Sequence, residues 1–204
     1  MYKHIIFDFG GVFLDLGGKH SGVPRDLAGI FRITEERAEE YWDANKKGML
    51  TGKETAKEFL RRMSDDLGVR IDVGMACEEW KSRYSPGRER IDWELLDYAK
   101  RLKKRYRVHI LTDTIDLGAE RGRWVSEVDR HFENVFRSHE EGLKKPDREA
   151  FLNALGKIRA KPEECVFVDD SQANVDAASR LGMKGIKYTD LAGLKESLKE
   201  LGIE

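Results

Sequence analysis

The stretch HIIFDFGGVFLDLGG, His4 to Gly18, decides how the rest of the chain is read. His4 to Phe7 is a short apolar run of the kind that fills a strand buried on both faces. It stops at Asp8, and Gly10 and Gly11 follow. A carboxylate at the junction of a buried strand and a glycine-permitted turn sits at the open edge of a sheet. In parallel α/β sheets, ligands bind outside that edge. Asp8 alone also suits an ordinary turn, so the stretch by itself leaves turn and active site both open.

Beyond Ser85, Pro86 and Gly87 the chain alternates helix and strand, the pattern of a parallel sheet. Trp93 to Arg105 reads as an amphipathic helix with Leu95, Leu96, Ala99 and Leu102 inward. Val108 to Leu111 is the second buried run, and Thr112, Asp113 and Thr114 follow directly. A helix over Ala119 to Val128, a strand near Asn134 to Arg137 and a helix after Pro146 and Asp147 come next. Cys165 to Val168 is the next strand and ends in Asp169, Asp170 and Ser171. The small residues Ala177 and Ala178 suit a helix packed closely on the sheet. Gly185 to Tyr188 and Leu191 to Leu201 close the chain as strand and helix.

Between Asp8 and that alternating half, Leu16 to Gly22 reads as a glycine-rich connector and Val23 to Tyr84 as helical without a strand. Thr34 before Glu35, Glu36 and Arg37 is a helix cap and first turn, and Thr51 with Glu54 repeats that signature. Ala56, Phe59, Leu60 and Met63 share one helical face, and Met75 to Arg83 forms a third helix. Tyr41, Trp42, Trp80 and Tyr84 read as the core of a small bundle, with room for one or two to face a substrate.

The totals narrow the function classes. The 204 residues suffice for one cored domain with a modest insertion, or two small domains. A net charge of -1 gives no electrostatic case for nucleic acid or an anionic membrane, so the basic run Arg101 to Arg107 reads as a solvated helix face. No apolar run approaches the ~20 residues of a membrane helix, and the N-terminus lacks the regions of a signal peptide. Cys77 and Cys165 lie far apart and read as buried thiols, and the expected compartment is the cytoplasm. Gln172 and the asparagines 45, 134, 153 and 174 are the only side-chain amides, a composition like that of thermostable proteins.

Three strands thus finish in polar residues: Asp8, then Thr112, then Asp169 and Asp170. Lys145 stands at a helix start. In this order the four segments resemble the motifs of the haloacid dehalogenase-like hydrolase superfamily: IIFDFGGVFLD, ILTDT, GLKKPD and VFVDDSQANVDAA. The resemblance spans nearly the whole chain. It implies a doubly wound parallel sheet with an inserted α-helical cap, residues 1–16 and 87–204 forming the core domain and residues 17–86 the cap.

It further implies a magnesium-dependent phosphatase of small phosphorylated metabolites, such as sugar or nucleotide phosphates, in a monomer or homodimer. Asp8 would be the nucleophile and form an aspartyl phosphate. Thr112, Asp113, Gly11 and Lys145 would contact the substrate, with Thr112 and Lys145 binding phosphate oxygens. Asp8, the Gly10 carbonyl and Asp170 would hold Mg2+, assisted by Asp169. The combination suits phosphoryl transfer, where most catalysis is positioning and charge compensation.

One departure matters. Phosphatases of this family usually carry an acid two residues after the nucleophile, where this chain has Gly10. Asp15 and Asp113 are the nearby candidates for a substitute, although Asp15 also falls where the family often has a structural Asp. Loss of that acid also resembles metal-independent 2-haloacid dehalogenases, although the Asp169–Asp170 pair then lacks a purpose. Asn174 and Asp113, each at a position where relatives often differ, keep a third class in view: a catalytically degenerate binding protein.

Overall fold

A computed structural model describes residues 1–16, 22–84, 88–117 and 128–203. Its centre is β1 (His4–Phe7), which pairs in parallel with β2 (Arg107–Thr112) on one side and β4 (Cys165–Asp169) on the other. Outside these lie β3 (Asn134–Arg137) and β5 (Lys184–Lys187), which complete a five-stranded sheet in the order β3-β2-β1-β4-β5. Every pairing is parallel. Phe7 lies opposite both Ile110 and Val168, so Asp8, Thr112 and Asp169 all reach the same edge.

Among the described residues five α-helices lie between β1 and the 85–87 boundary: α1 (Val23–Phe31), α2 (Glu35–Asn45), α3 (Lys47–Leu50), α4 (Ala56–Leu67) and α5 (Val73–Tyr84). The later ones are α6 (Trp93–Leu102), α7 (Ser138–Glu141), α8 (Arg148–Ile158), α9 (Gln172–Arg180) and α10 (Leu191–Glu200). Period-two alternation sends Ile5 and Phe7 to one face of the sheet, where they pack with Leu95 and Leu96 of α6 and Leu194 and Leu198 of α10. Ile6 goes to the other face and meets Phe151 of α8 and Ala177 and Ala178 of α9. Covering both faces makes β1 and β4 continuous apolar runs, and gives the doubly wound α/β architecture.

The helices between β1 and α6 have a core of their own. Leu27, Phe31, Trp42, Phe59, Met63 and Trp80 pack together with Ile115 and Leu117 from the segment after β2. Trp42 and Trp80 are therefore core residues, as their spacing predicts. Thr34 caps α2 through a bond accepted from the Arg37 N–H. The expected cap at Thr51 is displaced by one turn. Thr55 and Glu58 form the capping box of α4, while the Thr51 hydroxyl donates to the Lys47 carbonyl at the end of α3 and Glu54 pairs with Arg62. Both positions carry the same Thr-x-x-Glu pattern, and the later one starts the helix on Ala56, the first residue of the apolar face.

The chain leaves and re-enters the sheet layer along one antiparallel bridge, Leu14 opposite Ile91. Asp15 N–H donates to Arg90 O, and Asp92 N–H to Phe13 O. The turn after α3 also touches the sheet layer, at α7. Gly52 has φ +64, and a Cβ there would lie 2.1 Å from the His139 carbonyl oxygen. The connector over 17–21, the 85–87 boundary and nearly all of the helix expected over 119–128 lie outside the described residues. Among the described residues no helix is long and apolar enough to cross a membrane.

Candidate active site

Asp8 is the first residue past β1, and its N–H still bonds Val168 O of β4, which holds the carboxylate at the sheet edge. Its Oδ1 accepts the Phe9 N–H at 2.7 Å and the Lys145 ammonium at 2.9 Å. Lys145 belongs to the loop between α7 and α8, and its side chain is 1% exposed. Burying an ammonium is costly unless it is paired and hydrogen-bonded. Here it lies between Asp8 and Asp169, the latter at 2.7 Å.

Asp169 ends β4 and is fully buried. Its Oδ1 accepts the Ser171 N–H at 2.8 Å and the Asn174 amide at 3.0 Å. Its Oδ2 takes Lys145, and Asn174 again at 3.1 Å. Asp169 is thus the anchor of Lys145, and Asn174, one turn into α9, is the anchor of Asp169. In the sequence Asn174 reads only as a departure from an acid; the bifurcated bond across the start of α9 becomes visible once the helix is placed.

Asp170, the next residue, is exposed. Its carboxylate lies over Gly11, where a Cβ would come within 2.3 Å of Asp170 Oδ2. Gly11 also has φ +76, so two reasons exclude a side chain there. Oxygen atoms of Asp8, Asp169 and Asp170 lie within 4.8 Å of one another. Three carboxylates against one ammonium leave the cluster short of positive charge, and the donors are all hard oxygens. That set fits a magnesium ion.

The electrostatics follow from this crowding. Burial pushes the Asp8 carboxyl up to about 7, against the pull of Lys145 and with a further push from Asp169. Burial disfavours the Lys145 ammonium, yet Asp8, Asp169 and Asp113 outweigh it and hold the lysine above its ordinary range. Asp170, though its surface is exposed, has its carboxyl raised by desolvation within the cluster and by Asp169.

Thr112 ends β2, buried, at the same edge. Asp113 Oδ1 accepts the backbone N–H of Lys145 at 3.0 Å, so Asp113 fixes the loop that carries the lysine. Thr114 is clasped by Ser138, whose hydroxyl accepts the Thr114 N–H at 2.9 Å and donates to its carbonyl at 3.1 Å. Ser138 carries no functional signature in the sequence, because its role depends on β3 lying beside β2. Gly10 follows Asp8 by two residues in the turn, and a Cβ there would meet Leu16 Cδ2 at 3.3 Å. Leu16 therefore covers the position of the absent second acid.

A family model described as haloacid dehalogenase-like hydrolase matches residues 2–182. The chain belongs to that family. Among curated relatives, this haloacid dehalogenase-like hydrolase is 25% identical to D-ribitol-5-phosphate phosphatase of Bacteroides thetaiotaomicron, over 97% of each chain. It is 26% identical to bifunctional epoxide hydrolase 2 of Sus scrofa over 79% of its own length, and spans only 31% of that longer protein. In fold it is similar to a family enzyme of Bacteroides thetaiotaomicron solved with magnesium and inorganic phosphate. That likeness has a TM-score of 0.73 and 23% identity, and covers 95% of this chain and 99% of the other.

Proposed function

We propose that the protein is a magnesium-dependent phosphatase of small phosphorylated metabolites that works through an aspartyl phosphate on Asp8. One observation carries this reading: the Lys145 ammonium set between Asp8 at 2.9 Å and Asp169 at 2.7 Å, with Asp170 beside them, at the ligand-binding edge of the sheet. The likeness to a D-ribitol-5-phosphate phosphatase supports a sugar or polyol phosphate over a nucleotide as substrate.

Asp8, Asp170 and the Gly10 carbonyl would hold the ion, with Asp169 assisting from behind. When bound, magnesium offsets the repulsion between a carboxylate nucleophile and an anionic phosphate. Asp8 Oδ1 is held by Lys145 and the Phe9 N–H, which leaves Oδ2 to attack phosphorus. Lys145 neutralises phosphate oxygens and Thr112 donates a hydrogen bond to one of them. The bare backbone at Gly11 lets the phosphate approach the turn. Residues 17–86 act as a cap that excludes bulk water and favours small substrates, over a core domain of residues 1–16 and 87–204. The metal-free dehalogenase reading leaves Asp170 without a task and is the weaker one.

Hydrolysis of p-nitrophenyl phosphate with magnesium, with chelator and in Asp8→Asn tests the proposal. The expected result is turnover that needs magnesium and is lost in Asp8→Asn. Halide release from 2-haloacids in the presence of chelator, without phosphatase turnover, would replace the phosphatase reading with the dehalogenase one.

A further inference from the structure

Hydrolysis of an alkyl phosphate needs a proton on the departing oxygen, and the usual donor position is Gly10. Leu16 covers that position, its Cδ2 3.3 Å from where a Cβ would lie. The acids around the site can be taken one by one. Asp8 is the nucleophile. Asp169 is fully buried and both its oxygens are engaged, by Ser171, Asn174 and Lys145. Asp170 lies over Gly11 among the metal-holding oxygens. Asp15 is exposed in the segment paired with Arg90, and lines a groove that it shares with Gly11 and Leu16 as well as Glu89, Arg90 and Tyr188, but not with Asp8, Thr112 or Lys145.

Asp113 differs from all of these. It follows Thr112 directly at the strand edge, and its Oδ1 is fixed by the Lys145 N–H at 3.0 Å. Its Oδ2 has no hydrogen-bond partner among the described residues. Lys145 spans the gap between the two acids, with its backbone N–H on Asp113 and its ammonium on Asp8. One oxygen is thus locked and the other carries no hydrogen bond, on the residue that follows Thr112. Such a carboxyl has a fixed orientation and one oxygen to carry a proton.

We propose that Asp113 is the acid and base of this enzyme, standing in for the absent second aspartate; the inference rests on the phosphatase reading above. In the first half-reaction Asp8 Oδ2 forms a bond to phosphorus as the phosphorus–oxygen bond to the leaving group breaks. The departing oxygen keeps the electron pair and takes the proton from Asp113. In the second, water attacks the aspartyl phosphate and gives its proton to the Asp113 carboxylate. The bond from phosphorus to Asp8 breaks, which restores the Asp8 carboxylate, a protonated Asp113 and inorganic phosphate. Burial raises the Asp113 carboxyl above the ordinary range, against the pull of Lys145, which favours the protonated starting form.

The test compares kcat/KM on phenyl phosphate and p-nitrophenyl phosphate for the wild type, Asp113→Asn and Asp113→Ala, with magnesium. Phenolate is the poorer leaving group and needs the proton more. Asp113→Asn should lose about 100-fold or more on phenyl phosphate and under about tenfold on p-nitrophenyl phosphate, and should accumulate a trappable phosphoenzyme. Turnover of p-nitrophenyl phosphate by the variant shows that it is folded. An equal loss on both esters, or recovery of the phenyl phosphate rate in Asp113→Asn relative to Asp113→Ala, would make Asp113 a positioning residue and overturn the proposal. If the wild type hydrolyses neither ester, the phosphatase reading falls, and the acid assignment falls with it.

Discussion

The two ends of the same strands bury titratable side chains to opposite purposes. At one end of β1 and β2 lie Asp8 and Thr112; at the other lie His4 and His109, both buried. The first end gathers three carboxylates around one ammonium and remains short of positive charge. At the second, burial holds the two imidazoles towards their neutral form, inside a rim of the ion pairs Lys3–Glu164 and Arg107–Glu133. His4 Nδ1 meets His109 Nε2 at 3.1 Å, and the Asn134 amide meets His109 Nδ1 at 3.0 Å. With the amide donating to His109 Nδ1, His109 Nε2–H donates to His4 Nδ1, so every polar atom between the rings is satisfied without charge. Burial lowers the pKa of both histidines, that of His109 to about 4. One end trades stability for chemistry, and the other packs polar rings as if they were core.

Variants can break this comparison, beginning with the largest effect. Lys145→Ala leaves Asp8 and Asp169 buried and unpaired, so it should lower unfolding stability by about 3 kcal/mol in urea titrations. It should also reduce kcat at least about 100-fold.

The second effect is on pH. His109 has a folded pKa below its unfolded value of 6.5, so the unfolded chain binds a proton that the fold refuses between about 4 and 6.5. Stability contributed by the neutral ring is present above 6.5 and lost as pH falls through that window, by about 3 kcal/mol. Asp8, raised to about 7, has the opposite sign: with metal removed by chelator, its stability penalty grows as pH rises toward 7. Urea unfolding at several pH values in chelator should therefore show a steeper acid-side loss in Asp8→Asn and a shallower one in His109→Gln. An unchanged slope in His109→Gln would remove the contrast.

The smallest effect is a gain. Asp170 has an exposed surface, yet desolvation of its carboxyl within the acidic cluster and the like charge of Asp169 raise it, so its ionised form is disfavoured in the metal-free fold. Asp170→Asn should raise the thermal unfolding temperature slightly in chelator while sharply weakening magnesium-dependent turnover. A fall in stability would mean that Asp170 is better paired than the cluster suggests.

Much of this was legible in the residues. The apolar runs ending in Asp8, Thr112 and Asp169 marked the strands and the edge they share, because a strand covered on both faces is mostly apolar until it ends, and His109 is admitted inside β2 only as a hydrogen-bonded ring. The strand at Asn134–Arg137 and the start of the last helix at Leu191 lie where the pattern puts them. Helix ends were less legible. The helix expected from Met75 begins at Val73, because the Asp72 carboxylate accepts the Met75 N–H and organises the first turn. The cap at Thr55 instead of Thr51 shows the same limit: a local signature occurs twice, and packing of the apolar face selects one.

By itself, then, the chain's order of apolar and polar residues determined a parallel sheet, the edge where chemistry collects and the identity of the groups delivered there. Those are properties of periodicity and chemical type, which each residue carries alone. Only the tertiary structure decided that Asn174 and Ser171 hold Asp169, that Ser138 clasps Thr114, that Leu16 covers Gly10 and that Asp113 keeps one oxygen without a partner. Each of these is a contact between segments distant in sequence or turned by a loop. Hydrogen bonds of about 3 Å are set by how loops and helix starts turn and, for Ser138 and Lys145, by which segments the sheet brings together, which residue type and periodicity do not carry.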